Sequence, residues 1–301
     1  MAETAFDVVV VGGGPAGLSA ALMLGRCRRR VLVCDVGEPR NRTTHAVHGY
    51  LTRDGIAPRE LADLGRRELA AYGVEFRCIG VVAVAPADDR SYAVAFASGD
   101  SVRARFVLLA TGVVDDLPAI PGFHECYGRS IFHCPYCDGW EWRDRRLAAF
   151  GIGRDATGLS LALTTWSRDV VLCTDGRRVE RRARERLARH GIDVRTPRVE
   201  RLEHRDGELR AIVFADGSTL ARDALFFTSD QHPQSLIATH LGCMLTPRGT
   251  VKTGNMCETN VPRIYVAGDA SRDAQFVVVA AAEGVKAAVA INQALQREEL
   301  A

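Results

Sequence analysis

The chain has almost no excess of charge of either sign: 39 lysines and arginines stand against 37 aspartates and glutamates, a formal net charge of +2. With no global basic field to gather nucleic acid or an anionic membrane surface, neither is expected as a partner. Long apolar runs are missing too. The most apolar late stretch, Phe276 to Leu295, is interrupted by Glu283 and Lys286 and reads as too polar to span a bilayer. Near the start, Phe6 to Val11 runs straight into glycines, with no basic region before it and no cleavage site after it, so no signal peptide is expected. Lysine is scarce, with only Lys252 and Lys286 among the basic residues, a bias we attribute to genome composition. Low-complexity segments are absent. An apolar fraction of 47% and a charged fraction of 25% are ordinary for a globular protein, and 301 residues suffice for two buried cores.

A disulfide scaffold is also excluded. Nine cysteines is an odd number, and Cys27, Cys34, Cys78, Cys126, Cys173, Cys243 and Cys257 are scattered singly. These read as small buried apolar residues, and the protein is expected to be cytoplasmic. The other two stand in His133-Cys134-Pro135-Tyr136-Cys137-Asp138-Gly139-Trp140-Glu141. A redox disulfide fits this motif best. The first thiol of such pairs acts as the interchange thiolate, Asp138 is placed to give and take its proton, and His133 is placed to tune thiolate formation. A zinc half-site is the second reading, but it needs two more ligands, and only Cys126 and His133 lie close in sequence. Inert packing is the third; it sits poorly with the flanking proline, aspartate and glycine. No resident metal is expected.

What is present around that motif is nucleotide-binding pattern, twice. Asp7 to Val11 is a β-branched run ending in Gly12-Gly13-Gly14-Pro15-Ala16-Gly17, followed by an Ala- and Leu-rich helix over 18–24 and a strand over 30–34 that delivers Asp35. Gly12 permits the tight turn, Gly14 the approach of a pyrophosphate, and Gly17 close helix packing, while Pro15 and Ala16 open the helix. Free amides at that helix start suit phosphates, and Asp35 suits ribose hydroxyls. A second copy begins at Arg146, about 140 residues later: a strand over 147–150, a turn over 151–158, a helix over 159–165 and a strand over 170–173. Its Gly151, Gly153 and Gly158 depart from the usual spacing. The residues after its second strand are Thr174-Asp175-Gly176, with Arg177 and Arg178 only afterwards. Asp175 would repel a 2′-phosphate and suits a ribose diol, so NADH or an empty, vestigial site is expected there rather than NADPH.

Two further strands run into Ala110-Thr111-Gly112 and Ala267-Gly268-Asp269, and a long helix over 276–296 closes the chain. The second nucleotide unit does not need that tail. The expected division is therefore a first domain over 1–117 and 246–301, with a second, inserted, over 118–245 and carrying the two-cysteine motif. His45 and His48 lie in the polar segment after the second strand; solvated loop histidines are the default, with a substrate or proton-relay role as the alternative.

Along nearly its whole length the chain resembles the low-molecular-weight thioredoxin reductase family, on Gly12 to Gly17, Ala110 to Gly112, the Cys134/Cys137/Asp138 motif, Gly151 to Gly158 and Gly268-Asp269. The variant Cys-Pro-Tyr-Cys-Asp-Gly-Trp-Glu is similar to that of a branch that includes the dithiol oxidases closing disulfides in gliotoxin, holomycin and related natural products. Pro39-Arg40-Asn41, His48-Gly49 and Asp54-Gly55 are similar to that branch as well. The resemblance implies a homodimeric α/β protein of two Rossmann-like dinucleotide-binding domains. It implies FAD as cofactor, with Asp269 on the ribityl chain and Asn41, Arg42, His48, Ala110, Thr111, Gly112 and Gly268 among its contacts. Two departures from NADPH-dependent thioredoxin reductases follow. The basic 2′-phosphate motif is absent, and the late Arg-Gln pair that contacts flavin is replaced by Gln275-Phe276. The expected reaction is oxidation of a small dithiol through Cys134–Cys137, with Cys137 nearer the flavin and oxygen or another acceptor reoxidising it. The alternatives are a reductase of a disulfide or thioredoxin-like protein, fed by NAD(P)H or ferredoxin, and a nucleotide-binding regulatory module whose cysteines hold zinc.

Overall fold

The computed structural model describes residues 5–271 and 274–301. The chain divides into two compact units: unit 1 is Met1–Arg42, Tyr50–Val114 and His232–Ala301, and unit 2 is Thr43–Gly49 and Asp115–Gln231. In chain order, β1 (Ala5–Val11), α1 (Pro15–Arg26), β2 (Val31–Asp35), α2 (Pro58–Ala70) and β3 (Glu75–Cys78) precede a meander of β4 (Val81–Asp88), β5 (Ser91–Phe96) and β6 (Ser101–Leu109). After β7 (Val113–Asp115) come α3 (Phe123–Cys126), β8 (Ile131–Phe132), α4 (Pro135–Asp138), β9 (Leu147–Phe150), α5 (Gly153–Leu163), β10 (Val170–Cys173), α6 (Arg181–Arg189) and β11 (Asp193–Arg195). A second meander of β12 (Val199–Arg205), β13 (Glu208–Phe214) and β14 (Thr219–Ala221) leads to β15 (Ala224–Phe227). The chain ends through β16 (Gln231–Pro233), α7 (Ile237–His240), β17 (Ile264–Val266) and α8 (Val277–Leu300).

In unit 1 the parallel order is β3-β2-β1-β6. On the edge away from β1, β6 is long enough to serve two neighbours: its first half pairs antiparallel with β5, its second half parallel with β17. β1 is buried from Val8 to Val11 because helices cover one face and the other packs on the meander, which is why it reads as an unbroken apolar run. α8 has the length and composition of a membrane span, with a mean hydropathy of 1.3 over its most apolar window. Its place is nevertheless in the core. Ala280, Ala287, Ala288 and Ile291 are buried in one cluster with Ala16, Ala20, Ala21 and Leu24 of α1, and Gly284 is buried on the same helix. Small residues let the two backbones touch: a Cβ on Gly284 would collide with the Ala16 carbonyl.

Unit 2 repeats the plan. Its sheet is wholly parallel, β11-β10-β9-β15-β8, and β9, β10 and β15 are buried at every position. The β12-β13-β14 meander closes a core in which Phe123 meets Phe227 edge-on at 5.0 Å. Burying such rings contributes about 2–3 kcal/mol each.

The boundaries differ from those expected. The chain returns to unit 1 at His232, not at residue 246, because Ile237, Ala238 and Cys243 fill the same apolar cluster as Val9, Val94 and Val251. The short segment Thr43–Gly49 groups with unit 2 although both its flanks belong to unit 1. Five of the single cysteines are buried, but Cys27 is half-buried and Cys78 exposed. Burial pushes the Cys34 and Cys173 thiols up to about 12, so both are inert apolar filling.

Candidate functional site

The first fingerprint folds as a cradle at the C-terminal end of β1. Gly12 adopts φ 109°, and a Cβ there would strike the Ala110 carbonyl, so the turn passes directly over the end of β6. A Cβ on Gly17 would strike the carbonyl of Gly12, which fixes the approach of α1 to the turn. Gly14 has open space around it, leaving its backbone and the first amides of α1 free for an anion. Asp35 ends β2, and its Oδ1 accepts the Gly13 N–H at 3.0 Å. Its Oδ2 accepts from Gly37 N–H at 3.2 Å and from Arg66 at 3.1 Å.

On the C-terminal side, Gly268 (φ 79°) follows β17, and its N–H donates to buried Glu283 Oε2 at 2.8 Å. A Cβ on Gly268 would lie 3.1 Å from that of Ala16, so these glycine turns pack together. Arg40 donates to Asp269 Oδ2 at 3.0 Å and to Gln275 Oε1 at 2.6 Å, while Phe276 caps α8. Ala110, Thr111 and Gly112 (φ 70°) follow the end of β6. Asn41 is half-buried and Arg42 exposed in the turn after Pro39. An open glycine cradle, free helix amides and a ring of carboxylate, guanidinium and amide groups fit a dinucleotide of the FAD type. Arg66 and Glu283 lie at this cradle without having been expected there; Glu283 left a signal, as a lone carboxylate in an otherwise apolar helix, and Arg40 was marked only by the resemblance of Pro39-Arg40-Asn41.

The second group lies in unit 2. Cys134 caps α4, one turn whose proline at the first position is preset for helix. That turn brings Cys137 back to Cys134 as a disulfide with Cα atoms 5.3 Å apart. Both cysteines and Asp138 are half-buried. Burial raises the Asp138 carboxyl to about 7, the neighbouring negative charge of Glu141 adds to the rise, and His48 opposes it.

His48, expected among the cofactor contacts, groups with unit 2, its Nε2 3.6 Å from Glu141 Oε1 and its charge felt by Asp138. His45 is exposed. His133 turns toward Tyr127, whose hydroxyl is 3.4 Å from its Nδ1 and donates to Asp115 Oδ2 at 2.8 Å. The pair closes as a disulfide, and Cys126, the nearest further thiol in sequence, is buried. Among the described residues no group of three or more His, Cys, Asp or Glu side chains assembles as a metal site.

The second fingerprint also reads differently in three dimensions. Its third small position is Ala156, fully buried, 3.3 Å from where a Cβ on Gly151 would lie. Gly158 faces solvent, so the spacing Gly151-x-Gly153-x-x-Ala156 is regular after all. Asp175 has left-handed backbone at φ 47°, and its Oδ1 accepts the Val199 N–H at 2.8 Å. Arg177 and Arg178 are exposed.

Residues 6–284 match the family described as pyridine nucleotide-disulphide oxidoreductase. The thioredoxin reductase sirT of Leptosphaeria maculans is 32% identical, covering 95% of this chain and 93% of its own length. The crystal structure of HlmI superposes with a TM-score of 0.94 at 37% identity, over 98% of this chain and 94% of that one. An oxidoreductase from Agrobacterium tumefaciens superposes with a TM-score of 0.91 at 32% identity, over 97% and 99%. The chain belongs to the pyridine nucleotide-disulphide oxidoreductase family and is a thioredoxin-reductase-like, FAD-dependent disulfide oxidoreductase.

Proposed function

We propose that the enzyme oxidises a small dithiol to a disulfide through Cys134–Cys137, with oxygen or another acceptor as the final oxidant. The observation that carries the direction is the end of β10. Asp175, at the place of a second ribose carboxylate, accepts the Val199 N–H through Oδ1, and the turn offers Thr174-Asp175-Gly176 where a 2′-phosphate would need cations. This supports an enzyme that does not draw its electrons from a nicotinamide.

In this reading a substrate thiolate attacks Cys134 Sγ, the Cys134–Cys137 bond breaks and Cys137 leaves as a thiolate. The second substrate thiol gives up its proton and attacks the substrate sulfur of the mixed disulfide, releasing Cys134. The dithiol has then lost two electrons and two protons, and the cysteine pair has gained the two electrons. Asp138, half protonated near neutrality, can accept a proton from a substrate thiol and return one to a leaving thiolate. FAD, when bound, supplies the two-electron acceptor that returns the pair to its disulfide and passes the electrons on.

The exposed Arg177 and Arg178 favour a second reading, an NADPH-fed reductase of a thioredoxin-like protein or other disulfide. Anaerobic titration of the yellow protein separates the two. Bleaching of the flavin by dithiothreitol, with recovery on admitting air and no bleaching by NADPH or NADH, is expected. Rapid stoichiometric bleaching by either nucleotide overturns the oxidase reading.

A further inference from the structure

We propose that His48 and Glu141 are positioning residues that set when Asp138 holds its proton, with His48 delivered to the site by the Thr43–Gly49 segment. The inference rests on the reading above in which Asp138 carries the proton of thiol exchange.

The segment is seated on unit 2. Gly128 has φ 78°, and a Cβ there would lie 2.7 Å from the Thr43 carbonyl carbon and oxygen, so a glycine is what admits the segment at this point. Val47 is buried, which fixes its neighbour. His48 is thereby held half-buried with Nε2 3.6 Å from Glu141 Oε1. Glu141 follows Asp138 by three residues, in the turn that continues α4.

Three ionisable groups from two separate stretches of chain therefore act on one another beside the disulfide. The charged groups that act on Asp138 are Glu141, from the turn after α4, and His48, from the Thr43–Gly49 segment. His133, from the end of β8, directs its ring toward Tyr127. The two neighbours work in opposite senses. A negative Glu141 holds the proton on Asp138, whereas a positive His48 favours its release. The pair held at 3.6 Å thus acts on the proton of Asp138 from two directions. Thiol exchange needs a carrier of this kind, because the same group must take a proton in one step and give it back in the next.

The test is anaerobic stopped-flow reduction of the oxidised holoenzyme by dithiothreitol, following flavin absorbance across pH 5.5 to 9 in four proteins: wild type, Glu141→Gln, His48→Gln and Asp138→Asn. The ionisation of dithiothreitol is common to all four. The limb near neutrality is expected to fall by about one pH unit in Glu141→Gln and to rise by up to about one unit in His48→Gln. Asp138→Asn should lose that limb. Loosened packing would slow both variants or change their melting temperatures, but it would not shift the two limbs in opposite directions. Shifts in the same direction, or none, while Asp138→Asn loses the limb, overturn the positioning roles and leave the proton-carrier reading intact. A limb retained in Asp138→Asn overturns that reading, and the inference falls with it.

Discussion

Asp138 should weaken the fold that holds it, and the size of that weakness can be worked out. Its carboxyl rises from an ordinary 3.8 to about 7, chiefly through burial, then through the charge of Glu141. Between those values the folded protein binds a proton that the unfolded chain has already lost. Stability contributed at this position is therefore full at low pH, falls as pH rises from about 4, and reaches its minimum above 7. At about 1.4 kcal/mol per pH unit the ceiling is about 4 kcal/mol, and solvent at a half-buried group reduces it to about 2. Asparagine imitates the neutral carboxyl, so Asp138→Asn should match wild type near pH 4 and exceed it by about 2 kcal/mol at pH 8. The readout is favourable, because Trp140, Trp142 and Trp166 are the three tryptophans and all lie in unit 2. Urea unfolding followed by tryptophan emission thus reports the unit in question, and the midpoint at pH 8 should rise by about 1 M. The same variant should exchange thiols poorly. An equal gain at pH 5 and pH 8, or a loss at pH 8, would refute the burial argument, since neither follows from removing a buried charge.

Cys137→Ser should keep the visible flavin spectrum and lose dithiol-driven bleaching by at least about a thousandfold, measured in the anaerobic titration. Gly17→Ala drives a methyl into the Gly12 carbonyl and to 3.2 Å from Val10 Cγ1. Overpacking of about 1–3 kcal/mol should appear as flavin lost on ultrafiltration, with the unit 2 tryptophan transition unchanged. Ser130 is buried, donating to Gly207 O at 2.7 Å and accepting from Leu209 N at 2.9 Å. Ser130→Ala should lower the unit 2 transition by about 1–3 kcal/mol, leaving the Leu209 N–H without its acceptor.

The parallel strands and the glycine turns were legible because local physics fixes them. The strands over 147–150 and 170–173 are those of the structure to the residue, since buried parallel strands are unbroken apolar runs. Helix starts were less legible. α5 begins at Gly153, not Leu159, because its first turn is polar and solvent-facing and lacks apolar periodicity. The boundary near residue 246 failed for a related reason: α7 is one short turn whose role is to bury Ile237 and Ala238 in unit 1. At the site, the disulfide and Asp138 could be read from a nine-residue motif. The partnership of His48 with Glu141 could not, because it joins positions 93 residues apart through the seating of Thr43 on Gly128. Half of it had a local trace, since carboxylates three apart on a turn face each other and repel.

The two units share one plan, which makes the difference between their second strands informative. Both have a glycine turn, a following helix and an aspartate just after or at the end of the second strand. In unit 1 that aspartate faces its own turn: Asp35 accepts the Gly13 N–H, so the carboxylate, the turn and the helix amides converge on one place. In unit 2 the turn survives, with Gly151 and Gly153 in left-handed or extended backbone and open space around Gly153. Asp175, however, has been drawn into the start of β12. A backbone cradle alone offers a phosphate site with little selectivity, because the second-strand carboxylate is what distinguishes a ribose diol from other groups. Unit 1 thus brings carboxylate, turn and helix amides together at one place. In unit 2 the second-strand carboxylate is bonded to β12 instead, and the unit carries the disulfide and Asp138.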